Sequence, residues 1–217
     1  MAKIFLVDVT NRDGVQTSRI CLSKLQKTII NIYLDRFGVY QSEFGFPFTN
    51  HEINYLNANL ELQERGVLKN IHLGGWLRAI PQDVELAFKN VQKIKDLNLS
   101  ISTSDQMIQS KFLGKLDRDD VIKNMVAATK LAIAKGARAP GVNAEDASRT
   151  EMSFLIEFAL AAKEAGADRL RYCDTLGYDS PFSIYDRVRQ LAEAIQMDIA
   201  VHCHNDLGMA VASSVAG

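Results

Sequence analysis

No charge of one sign dominates this sequence. Its 217 residues carry 25 basic and 26 acidic side chains, so electrostatics gives no reason to expect nucleic acid or an anionic membrane surface as a partner. No run approaches the roughly 20 apolar residues of a membrane span. The opening "MAKIFLVDVTNRDG" has a short apolar run followed at once by charge. It lacks the longer apolar region and small-residue cleavage site of a signal peptide. Cysteine is scarce, with Cys21, Cys173 and Cys203 far apart and no CxxC pair. That odd, dispersed set argues against a disulfide framework and fits a reducing compartment. The expectation is a cytoplasmic protein without membrane or nucleic-acid partners. No linker or low-complexity stretch divides the chain, and 47% hydrophobic residues are ample for a core. One domain over residues 1–217 is predicted.

What the sequence has in abundance is alternation. β-rich runs such as "KIFLVDVT", "VYQSEFG", "NIHLGGWL", "LSISTSD", "DRLRYCDT" and "DIAVHCHND" are separated by long amphipathic runs such as "SKLQKTIINIYLDRFG" and "PQDVELAFKNVQKIKDL". Thr49 or Asn50 suits a helix cap, Gly38 and Gly66 suit helix ends, and Pro81 suits a first helical turn. Strands joined by helices pair in parallel through right-handed crossovers. The unit recurs about every 30 residues, roughly seven times in all. The first strand–helix turn is "TNRDGVQ" rather than GxGxxG, which weakens a dinucleotide-binding reading. The fold class expected is α/β, a TIM (β/α)8-type barrel truncated after about seven βα units.

Polar residues collect where the strands end: Asp8, Arg12, Asp13, Glu43, Arg78, Ser104, Asp105, Asn143, Glu145, Asp174, Thr175, His202 and His204. In parallel barrels that end carries the active site. In "VHCHND", His202 and His204 stand at i and i+2 of a strand and share one face, with Cys203 turned to the helix layer. Two imidazoles together at a catalytic end favour metal ligation over two ordinary polar residues. Their nitrogens suit Zn, Mn, Fe, Co or Ni, and a carboxylate ligand widens the choice toward Mn and Mg. Asp8 and Asp13 are the carboxylates offered by the first strand end.

"DVTNRDGVQ" together with "VHCHND" resembles the signature pair of the DRE-TIM metallolyases, the superfamily of homocitrate, isopropylmalate and citramalate synthases and hydroxymethylglutaryl-CoA lyase. The resemblance runs the length of the chain. It implies a divalent cation (Mn, Mg or Zn) on Asp13, His202 and His204. "EFGFP" places Glu43 where the family has a glutamate near the keto acid, and "GGWLRAIPQD" resembles the segment that supplies Arg78. "NAEDASRT" and "RLRYCDTLGYDSP" look like nitrogen-fixation-type homocitrate synthases, with Thr175 as a substrate contact. "CDTLG" also argues against the related biotin-dependent carboxyltransferases, which use a modified lysine there.

The resemblance implies an acyltransferase that condenses acetyl-CoA with a 2-oxo acid. Arg12 and Glu43 are its expected catalytic residues, and Gln16, Arg78 and Thr175 its substrate contacts. 2-Oxoglutarate is the favoured acid. Where relatives often carry Arg-x-Ser on the fifth strand, this chain has Gly141, Val142 and Asn143, which keeps other acids in play. The alternatives are Re-type citrate synthesis from oxaloacetate, isopropylmalate or citramalate synthesis, and acyl-CoA lyase or aldolase chemistry. A non-catalytic subunit of a split enzyme also stands. The eighth βα unit and the lid segments of condensing relatives are expected to be missing after "SSVAG", and a homo-oligomer or complementing subunit is the expected assembly. For individual residues plainer roles compete: a loop arginine for Arg12, a strand-end salt bridge for Glu43, an exposed helix-start arginine for Arg78. His72 reads as a core histidine, His51 as solvated, and Trp76 as packing.

Overall fold

The computed structural model describes residues 3–217. Strand and helix alternate as β1 (Val7–Asp8), α1 (Lys24–Phe37), β2 (Gln41–Gly45), α2 (Asn50–Glu64), β3 (His72–Arg78), α3 (Pro81–Asn90), β4 (Asp96–Ser102), α4 (Asp105–Lys111), α5 (Arg118–Ala134), β5 (Gly141–Glu145), α6 (Met152–Glu164), β6 (Arg169–Asp174), α7 (Pro181–Ile195), β7 (Asp198–Cys203) and α8 (Ala210–Ala216). The strands follow one another in sheet order from β1 to β7. The expected seven-unit α/β plan is therefore present. No helix among the described residues is long and apolar enough to cross a membrane.

Among the boundaries that differ from expectation, two stand out, and β7 also ends at Cys203, one residue short of His204. The first strand is only Val7–Asp8 rather than most of "KIFLVDVT". The third helix stops at Asn90 instead of running to Leu97, and β4 begins at Asp96. The cause is a change of period. From Asp96 onward Leu97, Leu99 and Ile101 alternate with Asn98, Ser100 and Ser102, and all seven positions of β4 are buried. That two-residue repeat suits a pleated strand with one apolar and one polar face.

Helix ends follow local chemistry. Ser23 and Gln26 form a reciprocal capping box on α1, which ends at Gly38 with φ +83°. Thr49 caps α2, and Ser180 with Ser183 boxes the start of α7, where Pro181 is the first helical residue. These side chains satisfy amide N–H groups that have no partner inside the helix.

The chain divides into two compact units. The first comprises the chain up to Leu77 with Gln82–Asn98 and Lys135–Arg138. Its apolar core includes Phe44, Leu56, Leu73, Val84, Ile94 and Leu97. The buried positions of α1, however, are polar: Lys27, Asn31 and Asp35. Lys27 donates to both oxygens of Glu52, at 2.8 and 3.0 Å. One oxygen of Asp35 accepts the N–H groups of Lys69, Asn70 and Ile71 at 2.7–2.9 Å, fastening the approach to β3 onto α1. His72, the first residue of β3, is half-buried, stacked at 4.7 Å on Tyr40 and near Asp96 and Arg138, rather than a core histidine. His51 lies exposed in the first turn of α2, as expected.

The second unit comprises Arg78–Pro81, Leu99–Ala134 and Ala139–Gly217. Parallel β5, β6 and β7 align Asn143 with Arg171 and Cys173 with His202. Val142, Ala144, Leu170 and Tyr172 are buried, as are Phe154, Leu155 and Phe158 of α6 and Leu191 of α7. The Tyr172 hydroxyl donates to Asp179 at 2.5 Å and accepts from Arg187 Nε at 2.8 Å, tying β6 to α7.

Asp35 gives the fold a testable pH dependence. Burial raises its carboxyl pKa, but the three backbone N–H groups outweigh burial and hold it below the ordinary value. The folded state then binds this proton less tightly than the unfolded chain. Its stabilisation is present above the ordinary aspartate pKa and is lost as pH falls through the folded value. Asp35→Asn should lower stability by about 1–3 kcal/mol at pH 7 and flatten that acid limb, as read by urea unfolding across pH.

Candidate metal and substrate site

In the first unit the site is built on the loop after β1. Backbone N–H groups of Arg12, Asp13 and Gly14 all point at the Val9 carbonyl, at 3.1, 2.8 and 3.1 Å. This tight turn presents Arg12 and Asp13 side by side, and a short 3-10 turn (Gly14–Gln16) follows. Arg12 Nε donates to Glu43 Oε2 at 2.6 Å, and its Nη2 pairs with the same oxygen. Nη1 reaches Asp13 Oδ1 at 3.1 Å. The guanidinium carbon lies 5.2 Å from the centre of the Trp76 ring, within cation–π range. These contacts use three of the five guanidinium N–H groups and leave two on the terminal nitrogens to meet a ligand oxygen.

Glu43 is fully buried on β2. Asn98 of β4 donates to Glu43 Oε1 at 2.7 Å and approaches Gln41 Oε1 at 3.3 Å. Gly74 makes room here, because a Cβ at that position would lie 2.9 Å from the Gln41 side chain. A carboxylate without solvent needs both a counter-charge and further donors to remain ionised. Arg12 and Asn98 supply them.

The structure thus brings Arg12, Asp13 and Glu43 together in one cluster. Trp76 and Asn98 join them, and sequence reasoning assigned neither to the site. The signal for Asn98 was the polar alternation of β4, obscured by extending α3 too far. For Trp76 packing is half the answer, since its ring packs against Arg12 as well as Phe46. Gln16 is exposed at the end of its 3-10 turn. Arg78 ends β3 and is exposed.

In the second unit His202 belongs to β7 and His204 follows one residue beyond it. Their Nε2 atoms face each other at 3.1 Å, with ring centroids 4.9 Å apart and planes at 66°. Both rings are half-buried. Cys203 between them turns toward α8, where Ser214 hydrogen-bonds it. Burial first, and nearby Asp174 and Asp179 after it, push its thiol pKa up. Cys203 lies on the opposite face of the strand from its two neighbours, so the two imidazoles share one face of this strand end.

The loop after β6 clamps this segment. His204 N–H donates to the Asp174 carbonyl at 3.1 Å. The Asp174 carboxylate accepts N–H groups of Tyr178 and Asp179 at 2.8 and 3.1 Å. Gly177 has φ +59°, and a Cβ there would come within 3.0 Å of the His204 carbonyl and 3.1 Å of Asp206 N. The Thr175 hydroxyl accepts the Asp146 N–H at 2.9 Å and keeps its own hydrogen to donate. Asp146 is itself left-handed at φ +63°, with its carboxylate bound by Ser104 and Arg149.

Two imidazole nitrogens 3.1 Å apart have the spacing of a pair that shares one ion at about 2.1 Å from each. The donor set therefore fits a first-row divalent cation. Residues 3–217 match the model of the family described as HMGL-like. The chain belongs to that family. It is 62% identical over its full length to a citrate (Re)-synthase of Dehalococcoides mccartyi, covering 52% of that protein. A 2-isopropylmalate synthase of Caldanaerobacter subterraneus is 40% identical over 99% of the chain, with 53% of that protein covered. Homocitrate synthase 1 of a Nostoc species is 32% identical over the whole chain, with 55% covered. The chain thus spans about half the length of the curated relatives it matches. In fold it is similar to the HMG-CoA lyase of Bacillus subtilis, with a TM-score of 0.78 at 17% identity over 99% of this chain and 72% of that one. The expected barrel-type α/β fold and the DRE-TIM membership are both shown.

The Gly177 clamp is testable by itself. Gly177→Ala forces a Cβ against the His204 backbone in a left-handed conformation, and should cost about 1 kcal/mol or more. The His204 ring resonances should shift while those of His51 stay in place, as followed by NMR beside urea unfolding.

Proposed function

We propose that the protein to which this chain belongs condenses acetyl-CoA with a 2-oxo acid and then hydrolyses the thioester, with Asp13, His202 and His204 as the ligands of a divalent cation. The observation that carries this is the fork of Arg12 between buried Glu43 and Asp13, with two of its N–H groups left for a ligand. The facing pair of imidazoles at the end of β7 supports the metal part. A bound divalent cation supplies Lewis acidity to the keto group of the oxo acid.

In the condensation the acetyl-CoA methyl group loses a proton, and its carbon bonds to the keto carbon. The keto oxygen takes up the electron pair and is protonated to a hydroxyl. Water then attacks the thioester carbon, the C–S bond breaks and coenzyme A leaves as a free thiol. The difficult moment is negative charge on the keto oxygen. Arg12 is fixed before the reaction by Glu43, Asp13 and the Trp76 face, so its remaining N–H groups stabilise that oxygen without reorganising. Glu43, fully buried, acts by holding Arg12. Thr175 can donate its hydroxyl hydrogen to a substrate carboxylate, and Arg78 and Gln16, both exposed, are the further substrate contacts of this reading.

The identity of 62% to a citrate (Re)-synthase, against 32% to a homocitrate synthase, moves the favoured acid from 2-oxoglutarate to oxaloacetate. Gly141, Val142 and Asn143 of β5 stand where some relatives have the Arg-x-Ser pattern, which leaves acids other than 2-oxoglutarate open. Arg138 does not replace that arginine, because it is engaged with Asp96 at 2.6 Å just ahead of β5. A lyase or aldolase on the same scaffold is the second reading, supported by the fold shared with HMG-CoA lyase.

Two variants test the assignment in the full-length polypeptide. His204→Ala should abolish retention of Mn(II), Zn(II) or Mg(II) through gel filtration and abolish turnover, with the circular dichroism of the fold kept. Full metal occupancy in that variant would show the ligand set to be wrong. Arg12→Ala should lower kcat by about 100-fold or more and change the KM for the oxo acid much less. Normal turnover with only a raised KM would contradict the role given to Arg12.

A further inference from the structure

Arg12 and Glu43 meet on one side of β2, yet what sets their register lies on the other. Ser42 stands next to Glu43 in the strand and so points the opposite way. Asn11 stands next to Arg12 in the loop. Both side chains end on the same amide, that of Asn31 in α1. Asn31 Oδ1 accepts Asn11 Nδ2 at 2.9 Å and the Ser42 hydroxyl at 2.9 Å. Its Nδ2 donates to the Tyr55 hydroxyl at 2.8 Å and to Asn59 Oδ1 at 3.0 Å. Both lone pairs and both hydrogens of the amide are therefore used. Asn11, Asn31, Ser42 and Asn59 are fully buried and Tyr55 is 1% exposed.

We infer that Asn31 is a positioning residue for the proposed condensation, locking the loop that carries Arg12 and the strand that carries Glu43 at one fixed offset. The inference rests on the role proposed for Arg12. Asn31 itself touches no reacting group. Asn11 adds a second tie, donating to the Lys27 carbonyl at 3.0 Å, so the loop is held to α1 at two points. An apolar residue at this place in α1 would serve a helix that only needed burial. A fully satisfied amide instead specifies geometry, because the two lone pairs and two hydrogens of its planar group have fixed directions that four partners must meet together. If the joint slips, the Arg12 loop and β2 move independently, and the fork on Glu43 and Asp13 opens.

The test uses the full-length polypeptide and the variants Asn31→Leu, Asn11→Leu and the double variant, at a temperature where circular dichroism shows each to be folded. The NMR resonance of the Arg12 Nε–H, which donates to Glu43, reports the fork without reference to activity. Each single variant should shift or broaden that resonance. Each should lower kcat with oxaloacetate by about 10- to 100-fold, with the KM for acetyl-CoA within about twofold of wild type. The double variant should be no worse than the poorer single one, as two parts of one joint require. If Asn31→Leu does not fold, Ser42→Ala, which deletes one donor to the same oxygen, carries the same readouts. Folded variants with an unmoved Arg12 resonance and wild-type kcat would overturn the inference. A displaced resonance in a protein whose wild type shows no condensation would uphold the positioning role and remove the proposed reaction.

Discussion

A buried carboxylate that cannot leave its arginine organises the first unit. Glu43 has no access to water, and Arg12 is the charge it faces. Removing one partner of such a pair strands the other charge, at a cost of about 3–5 kcal/mol. The tight turn on the Val9 carbonyl, the flat support of Trp76, the amide of Asn98 and the space left by Gly74 all serve to keep that pair satisfied. The same pair fixes where Asp13 stands, because the third guanidinium nitrogen holds its carboxylate.

The second unit solves a different problem with backbone instead of charge. Its two imidazoles come from one strand end, and strand alternation alone sends them to one face. What alternation cannot fix is the position of His204, which lies past the last residue of β7. That is done by the Asp174 carbonyl and by a loop packed so closely that a Cβ on Gly177 would press against the His204 carbonyl. Stiff support of this kind suits metal ligands, whose outer contacts set orientation as much as the donors themselves do.

Much of this was legible in the sequence. The strand–helix alternation, the helix starts at Thr49 and Pro81, and the shared face of His202 and His204 follow from period and residue type. The cluster of Arg12, Asp13 and Glu43 was anticipated through the resemblance of "DVTNRDG" and "EFGFP", because pattern alone does not say which strand ends meet. The parts that escaped have physical causes. Asn98 was hidden because "NVQKIKDL" keeps a helical spacing up to the point where the two-residue period takes over. The polar buried face of α1 carries no signal of burial, because residue types such as Lys27, Asn31 and Asp35 are ordinarily exposed. A buried amide satisfied by other polar side chains, as Asn31 is, leaves no hydrophobic signature. Arg78 and Gln16 were named from motif position, and both are exposed, so their roles depend on what binds.

The central claim is the condensation, and one measurement reaches it most directly. The full-length polypeptide, stripped by chelation and reloaded with Mn(II), is given acetyl-CoA with oxaloacetate, 2-oxoglutarate or 2-oxoisovalerate, and free thiol is followed with the acid product identified by mass. The account predicts metal-dependent thiol release, fastest with oxaloacetate, with citrate as product. Absence of thiol release with every oxo acid, alongside metal-dependent cleavage of a hydroxyacyl-CoA thioester to acetyl-CoA, would contradict it.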